Sequence, residues 1–272
     1  MTTATATDDD AAPVFCRVLG PLRVEVDGAA AAIGGPTPRR TLTALLATDG
    51  LPVDDHRLVE QVWPQPPRDT PGALRVVVCR IRAALGLRAR DYLRRSPAGY
   101  LLAIPHDWTD HGRFAARVDQ GLRQLAADEF TSATASFASA MALWRGEPWS
   151  DLADSTYLAG ARSRLLELRE VAVEEMLAAR IGRGEIAAAV AALHQTVRDA
   201  PYRERRWELL ALGLYRSGRQ VHALDELRRV RELLRTDLGV DPGPALRNLE
   251  QRMLAHDPGL LDLHPPRLHR AS

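Results

Sequence analysis

The segment TPGALRVVVCRIRAALG, residues 70–86, carries the residue types best able to do chemistry: Arg75, Arg80 and Arg82 on an otherwise apolar run. That chemistry is recognition rather than bond-making. A guanidinium is planar, permanently charged and multi-donor, which suits phosphate oxygens and the O6/N7 edge of guanine. On a helical wheel of about 100° per residue, Leu74, Val78, Ile81 and Leu85 form one narrow stripe, with Val77 and Ala84 beside it. Gly72, Val76, Cys79 and Ala83 line the opposite side, flanked by Arg75 and Arg82 on one edge and Arg80 on the other. A small, weakly apolar centre allows close approach to a base edge while the bordering arginines reach phosphates. Cys79 reads most simply as a small side chain tolerated against DNA, although arginine neighbours also favour a thiolate and hence a redox response. The competing reading of this helix alone is a solvated face with incidental arginines.

Arg94 and Arg95 follow in YLRRSPAGYLLAI, a strand–turn–strand pattern from which they would clamp phosphates. Arg39 and Arg40, at the start of an earlier helix, are weaker phosphate candidates. No other residue pattern builds a reactive centre. The eight histidines (56, 106, 111, 194, 222, 256, 264 and 269) form no HExxH and no i,i+4 pair, and the two cysteines form no CxxC. His106 and His111, with Asp107 and Asp110 nearby, read as a hydrated linker before a surface metal site. Neither a GxSxG elbow nor a GxxxxGK[ST] loop occurs. The expectation is a protein with no catalytic residue, no metal and no cofactor.

These arginines need a scaffold, and the first hundred residues supply one. VFCRVLG and LRVEVDG read as short strands, the second alternating Leu22, Val24 and Val26 against Arg23, Glu25 and Asp27. Asp27-Gly28 is a hairpin signal, and AAAI can return as a third strand up to Ile33. A first helix is expected with Thr37 as cap, Pro38 at its first position, and Leu42, Leu45 and Leu46 as its core face, stopping at Asp49-Gly50. A second runs from Asp54 to Trp63, burying Leu58, Val59 and Val62, and breaks into the loop PQPPRD. The third starts at Thr70-Pro71, cap and first position, and ends at Gly86. Strands, three helices and a closing hairpin in this order describe a winged helix-turn-helix, whose third helix enters the major groove while the hairpin follows the backbone.

Charge supports that reading. All 36 basic residues are arginine and the overall net charge is only +1, but from Gly72 to Arg95 seven arginines face one acid, Asp91, a local +6. Residues 108–272 hold 23 arginines and 23 acids. The 272-residue length fits about two domains. No window approaches a membrane span, the start MTTATATDDDAAP lacks the pattern of a secretory signal, and two cysteines offer no disulfide framework. A cytoplasmic, nucleoid-associated protein is expected.

The segment from Val18 to Ile104 resembles the OmpR-type winged helix of the Streptomyces antibiotic regulatory protein family. The resemblance rests on VLGPLRVEVDG, PTPRRTLTALLA, VDDHRLVEQVWP, ALRVVVCRIRAALG and RRSPAGYLL. It implies that the loop between the second and third helices touches RNA polymerase, here Pro64, Gln65, Pro66, Pro67, Arg68 and Asp69. Family members usually have a polar residue, often glutamine, where this chain has Arg75, and often serine or another polar residue where it has Cys79. Both departures fall on the groove side, so the DNA sequence read is expected to differ from that of relatives.

Beyond Asp107 the pattern changes to long amphipathic helices separated by Gly or Pro. Residues 173–201 and 207–235 align at a spacing of 34, the tetratricopeptide period, matching Val173 with Trp207, Met176 with Leu210, Gly184 with Gly218, Ala189 with Ala223 and Leu193 with Leu227. A looser unit from Phe114 to Trp144 precedes the insert RGEPWSDLADSTY. Such arrays are either scaffolds for protein contacts or packing partners of the adjoining domain. ALWRGEPWSDLADS, LYRSGRQVHAL and LGVDPGPALRNLEQRMLAHDP resemble the bacterial transcriptional activation domain that follows the winged helix in the same family. Larger members of that family append a nucleotide-binding ATPase region.

The expected fold is therefore mainly α with a small β component. It comprises a disordered arm (1–13), a winged-helix domain (14–107), a tetratricopeptide-like all-α activation domain (108–258) and a disordered tail (259–272). What the resemblance implies is a pathway-specific activator of antibiotic or other secondary-metabolite genes. It would bind direct repeats in double-stranded promoter DNA as two or more protomers and recruit RNA polymerase holoenzyme through its sigma factor and other subunits. The residues alone leave a helical-repeat interaction adaptor, or a ligand-gated regulator, as alternatives.

Overall fold

The alternation of residues 22–27 places Leu22 and Val24 in the core and Arg23 outside. In the computed structural model, which describes residues 13–152 and 155–262, this segment is β2 (Arg23–Val26), set between β1 (Val14–Arg17) and β3 (Ala29–Ala30) in an antiparallel sheet with Cys16 opposite Val24. β3 is shorter than the run to Ile33 predicts. After Ala31 N–H donates to Val24 O the chain leaves the sheet, and Gly34, at φ +83°, turns it into the first helix.

That helix, α1 (Pro36–Leu46), begins earlier than Thr37-Pro38 predicts. Gly35 is its extended cap and Pro36 occupies the first turn, where a missing N–H costs nothing. α2 (Asp55–Val62) is capped by Asp54, whose carboxylate accepts the His56 and Arg57 N–H groups. α3 (Thr70–Ala84) is capped by Asp69 rather than Thr70: Asp69 accepts the Gly72 N–H at 3.0 Å, while the Thr70 hydroxyl donates back to Pro67 O. Gly86, at φ +82°, terminates it. A short turn, α4 (Ala89–Tyr92), then leads into the hairpin β4 (Leu93–Ser96) and β5 (Gly99–Leu102). Leu42, Leu45, Leu58, Leu74, Ile81, Leu85 and Leu93 are fully buried and unite these elements. Each contributes on the order of 1.5–3 kcal/mol through burial.

The rest is helical: α5 (Asp110–Ala126), α6 (Phe130–Met141), α7 (Ala159–Gly182), α8 (Ile186–Asp199), α9 (Glu204–Arg216), α10 (Gln220–Leu238) and α11 (Pro244–Leu254). The protein is thus mostly helical with small sheets. No helix among the described residues is long and apolar enough to cross a membrane.

Compactness does not follow the expected boundary at 107/108. The chain divides into one unit of Met1–Ala116 with Ala140–Leu168, and another of Arg117–Ser139 with Arg169–Ser272. The physical reason lies in the turn between β1 and β2, whose polar backbone groups are satisfied by residues far along the chain. Asp110, wholly buried, accepts the Val18 and Leu19 N–H groups at 2.7 and 3.0 Å, and Arg145 stands 3.5 Å from its carboxylate. Arg145 N–H donates to Leu19 O, Trp149 N–H to Val18 O, and Leu22 N–H to Asp151. Trp149 is 1% exposed and sits at φ +52°, a conformation bulky residues adopt only when their surroundings impose it. Burial raises the Asp110 carboxyl above its ordinary range, while the two N–H donors and the neighbouring His111 and Arg145 draw it back down. The same burial, with Asp110 beside it, pushes the Cys16 thiol up to about 12, so Cys16 is an inert core residue.

In the second unit three of the five pairs matched at a spacing of 34 are alike, Gly184/Gly218, Ala189/Ala223 and Leu193/Leu227, whereas Val173 and Met176 are half-buried and their counterparts Trp207 and Leu210 are buried. Gly184 and Gly218 both adopt positive φ (+83° and +76°) at the ends of α7 and α9, and Ala189 and Ala223 are both fully buried on the helices that follow. Leu177, Ile181, Val190, Leu193, Leu210, Leu214 and Leu227 belong to one core cluster. Between α7 and α9 lies a seam of charge: Arg206 pairs with Glu170 and Glu174, Arg203 with Glu174, and Arg205 with Glu175 and Glu208. The stretch expected to be a disordered tail from residue 259 is ordered at its start, because Leu260 is buried and its carbonyl accepts from Arg216 Nε at 2.8 Å. The arm expected over residues 1–12 and the tail from 263 lie outside the described residues.

Candidate nucleic-acid interface

α3 is held by one face. Leu74, Val77, Val78 and Ile81 are buried, with Leu85 just past its end, whereas Arg75, Val76, Cys79, Arg80 and Ala83 are exposed. Val76 is 51% exposed, so the middle of a valine run does point outward. Among the described residues no hydrogen bond, ion pair or ring contact engages the side chains of Arg75 or Arg80. Arg57 on α2, Arg68 before α3 and Arg90 on α4 are also exposed and without such a contact. A guanidinium group without a partner among the described residues is available to a phosphate oxygen.

The structure places other sequence-selected arginines differently. Arg82 is half-buried, and its Nε and Nη2 both donate to Leu93 O, at 3.1 and 2.8 Å. Arg95 pairs with Asp55 at the start of α2 and lies 4.6 Å over the Tyr100 ring. Its charge is reinforced above all by the Asp55 hydrogen bond. Arg39 donates to Leu22 O and pairs with Asp151. Arg94 is exposed and holds Asp91 O through Nε. Arg40 is half-buried beside a groove of about 440 Å³, lined also by Glu60, Gln61, Pro64 and the 155–157 segment, with its carbonyl accepting from Tyr157. Of the loop Pro64, Gln65, Pro66, Pro67, Arg68 and Asp69, all but the half-buried Pro67 are exposed.

Sequence reasoning passed over Asp55, Asp151 and Asp49. Asp49 accepts from Arg164 Nη2 at 2.7 Å and meets His111 Nε2 at 3.1 Å, so its carboxyl is held below the ordinary range, first by His111 and then by Arg164. The Asp49-Gly50 turn signal marked the end of a helix and gave no hint of these distant partners.

Residues 109–254 match the bacterial transcriptional activator domain, more than half of the chain. The transcriptional regulator RedD of Streptomyces coelicolor is 38% identical over 254 residues, covering 91% of this chain and 72% of that protein. The chain belongs to the Streptomyces antibiotic regulatory protein family. This family membership extends to mycobacteria. The transcriptional regulatory protein EmbR of Mycobacterium tuberculosis is 34% identical over 89% of this chain, which spans 63% of EmbR's length. A solved structure of EmbR in complex with a low-affinity phosphopeptide superposes with a TM-score of 0.84 at 33% identity, over 90% of this chain and 66% of that one. The antibiotic regulatory family is one of transcriptional regulators, and the arginine-bearing α3 described above belongs to the part of the chain that precedes its activator domain.

Proposed function

We propose that this protein is a sequence-specific DNA-binding transcriptional activator, a pathway-specific regulator of antibiotic or other secondary-metabolite genes. The observation that carries the reading is α3: buried along one face, small and apolar at the centre of the other, with Arg75 and Arg80 free of partners among the described residues. The first unit then acts as a winged helix-turn-helix, with α3 in the major groove and β4–β5 as the wing. Arg75, Val76, Cys79 and Arg80 face bases, and Arg94 takes a phosphate. The helices of the second unit form a tetratricopeptide-like module that serves protein contacts. Two or more protomers bind direct repeats near a promoter, and the exposed Pro64–Asp69 loop meets RNA polymerase holoenzyme with its sigma factor. The site of action is the cytoplasm, on the nucleoid.

Selection of duplexes by the full chain from a random-sequence pool, followed by gel shift over a salt series, tests this. A salt-sensitive specific complex is expected. Arg75→Ala relaxes base choice at one position by ~1–3 kcal/mol, whereas Arg94→Ala weakens selected and random duplexes alike and flattens the salt dependence. Selection of no sequence would turn the reading towards an interaction adaptor. Equal effects of both substitutions on selected and random DNA would remove the assigned roles.

A further inference from the structure

Two arginines from different parts of the first unit converge on the hairpin. Arg82, in the last turn of α3, gives two N–H groups to the carbonyl of Leu93, the first residue of β4. Arg95, two residues further along, reaches the Asp55 carboxylate at the start of α2 while stacking on Tyr100, its cross-strand neighbour. A third anchor is backbone: Val53 N–H donates to Tyr100 O at 2.7 Å and Tyr100 N–H to Val53 O at 3.0 Å. The approach there is close enough that a Cβ on Gly99 would fall 1.9 Å from Val53 O. Successive strand residues point to opposite faces, so Arg94 and Arg95 cannot serve the same surface. Both are exposed, but Arg95 is turned to α2 and paired with Asp55, whereas Arg94 holds only Asp91 O among the described residues.

We propose that Arg82 and the Asp55–Arg95 pair are positioning residues that fasten the wing to α3 and α2, so that Arg94 meets a phosphate at a set distance from the groove helix. Arg95 on this account is a strut and not a DNA ligand. The inference rests on the DNA-binding reading above. An exposed ion pair adds little to stability; here it fixes geometry, and three anchors leave the hairpin no independent swing. The sign of one substitution separates strut from ligand. Asp55 repels phosphate, so if Arg95 were a ligand held back by Asp55, removing that carboxylate would strengthen DNA binding. If Arg95 is a strut, removing it weakens binding.

The test uses the full chain, the duplex it selects from a random pool, and an unselected duplex. Asp55→Asn, Arg95→Gln and the double variant are each expected to weaken binding to the selected duplex several-fold and by the same factor, since they break one anchor. The salt slope should fall by about 0.9, the share of one phosphate. Hydroxyl-radical protection on the wing side should fade while guanine protection under α3 persists. Asp55→Glu should restore both, and Arg82→Gln should reproduce the loss. Without DNA, amide exchange should quicken in β4 and β5 of Asp55→Asn at unchanged global stability. Tighter binding with a steeper slope in Asp55→Asn, or an unaltered footprint and slope, overturns the proposal. A wild-type chain that selects no duplex overturns the DNA reading first and this inference with it.

Discussion

Replacing Asp110 with alanine tests how the first unit is held together. The carboxylate is wholly buried and accepts two backbone N–H groups, from Val18 at 2.7 Å and Leu19 at 3.0 Å, with Arg145 3.5 Å away. Alanine leaves both donors in a dry environment without acceptors. An orphaned buried N–H costs ~1–3 kcal/mol, so two cost roughly 2–6 kcal/mol. Part of that is offset because a buried carboxylate is itself expensive, as the upward push on the Asp110 carboxyl records. A net loss of ~2–4 kcal/mol is expected, a large fraction of the ~5–15 kcal/mol typical of a domain. Urea denaturation of the full chain reads the loss as a lower midpoint. Hydrogen exchange localises it, with the Val18 and Leu19 amides losing protection first. Asp119→Ala is the control, because Asp119 is exposed and among the described residues pairs only with Arg123 one turn away, a contact worth ~0.3–0.5 kcal/mol. A loss below ~1 kcal/mol for Asp110→Ala, or native protection at both amides, would refute the reasoning.

Two further outcomes follow from the packing. Asp49 has its carboxyl lowered by His111 and Arg164, so it stabilises the fold fully above the ordinary carboxylate range and progressively less as pH falls through its depressed value. The advantage of wild type over Asp49→Asn in denaturant, complete at about pH 5, should shrink below about pH 4. Gly213 and Gly160 should respond to alanine with opposite signs. A Cβ at Gly213 would meet Val190 Cγ2 at 2.7 Å, whereas one at Gly160 meets nothing within 4 Å. In a helix alanine gains up to ~1 kcal/mol over glycine, and overpacking costs ~1–3 kcal/mol. Thermal melts should therefore show Gly160→Ala above wild type and Gly213→Ala below it.

What was legible in the sequence is what local periodicity encodes. The wheel of residues 70–86 sorted Leu74, Val78 and Ile81 from Val76 and Cys79, because burial on one helix face repeats every 3.6 residues whatever lies opposite. The 34-residue spacing aligned Gly184 with Gly218, since each must take a positive φ where its helix stops. Cap positions slipped by a residue or so: Asp69 beside Thr70, and Gly35 beside Thr37, both offered plausible caps, and only the chain's path into the helix decided between them. The partners of the arginines were not legible. A guanidinium bound to phosphate and one bound to Leu93 O look the same in a string of letters. Asp151, which takes Arg39, lies 112 positions away from it with no spacing rule to connect them. For the same reason the expected break after residue 107 missed that Asp110 and the insert around Trp149 complete the β1–β2 turn.

That completion has a consequence for the order in which the protein is made. Leu22 receives its acceptor from a residue 129 positions later in the chain. At a translation rate of about 5–20 residues per second, the first strands leave the ribosome roughly 6–26 s before Asp151 is available to them. Until then the Leu22 N–H stays in water and Trp149's place in the core is open, although Asp110 has already become available to Val18 and Leu19. The N-terminal unit therefore matures only after α5 and α6 have been made. A nascent chain stalled before residue 110 would present α3 on a scaffold still lacking its final fastening.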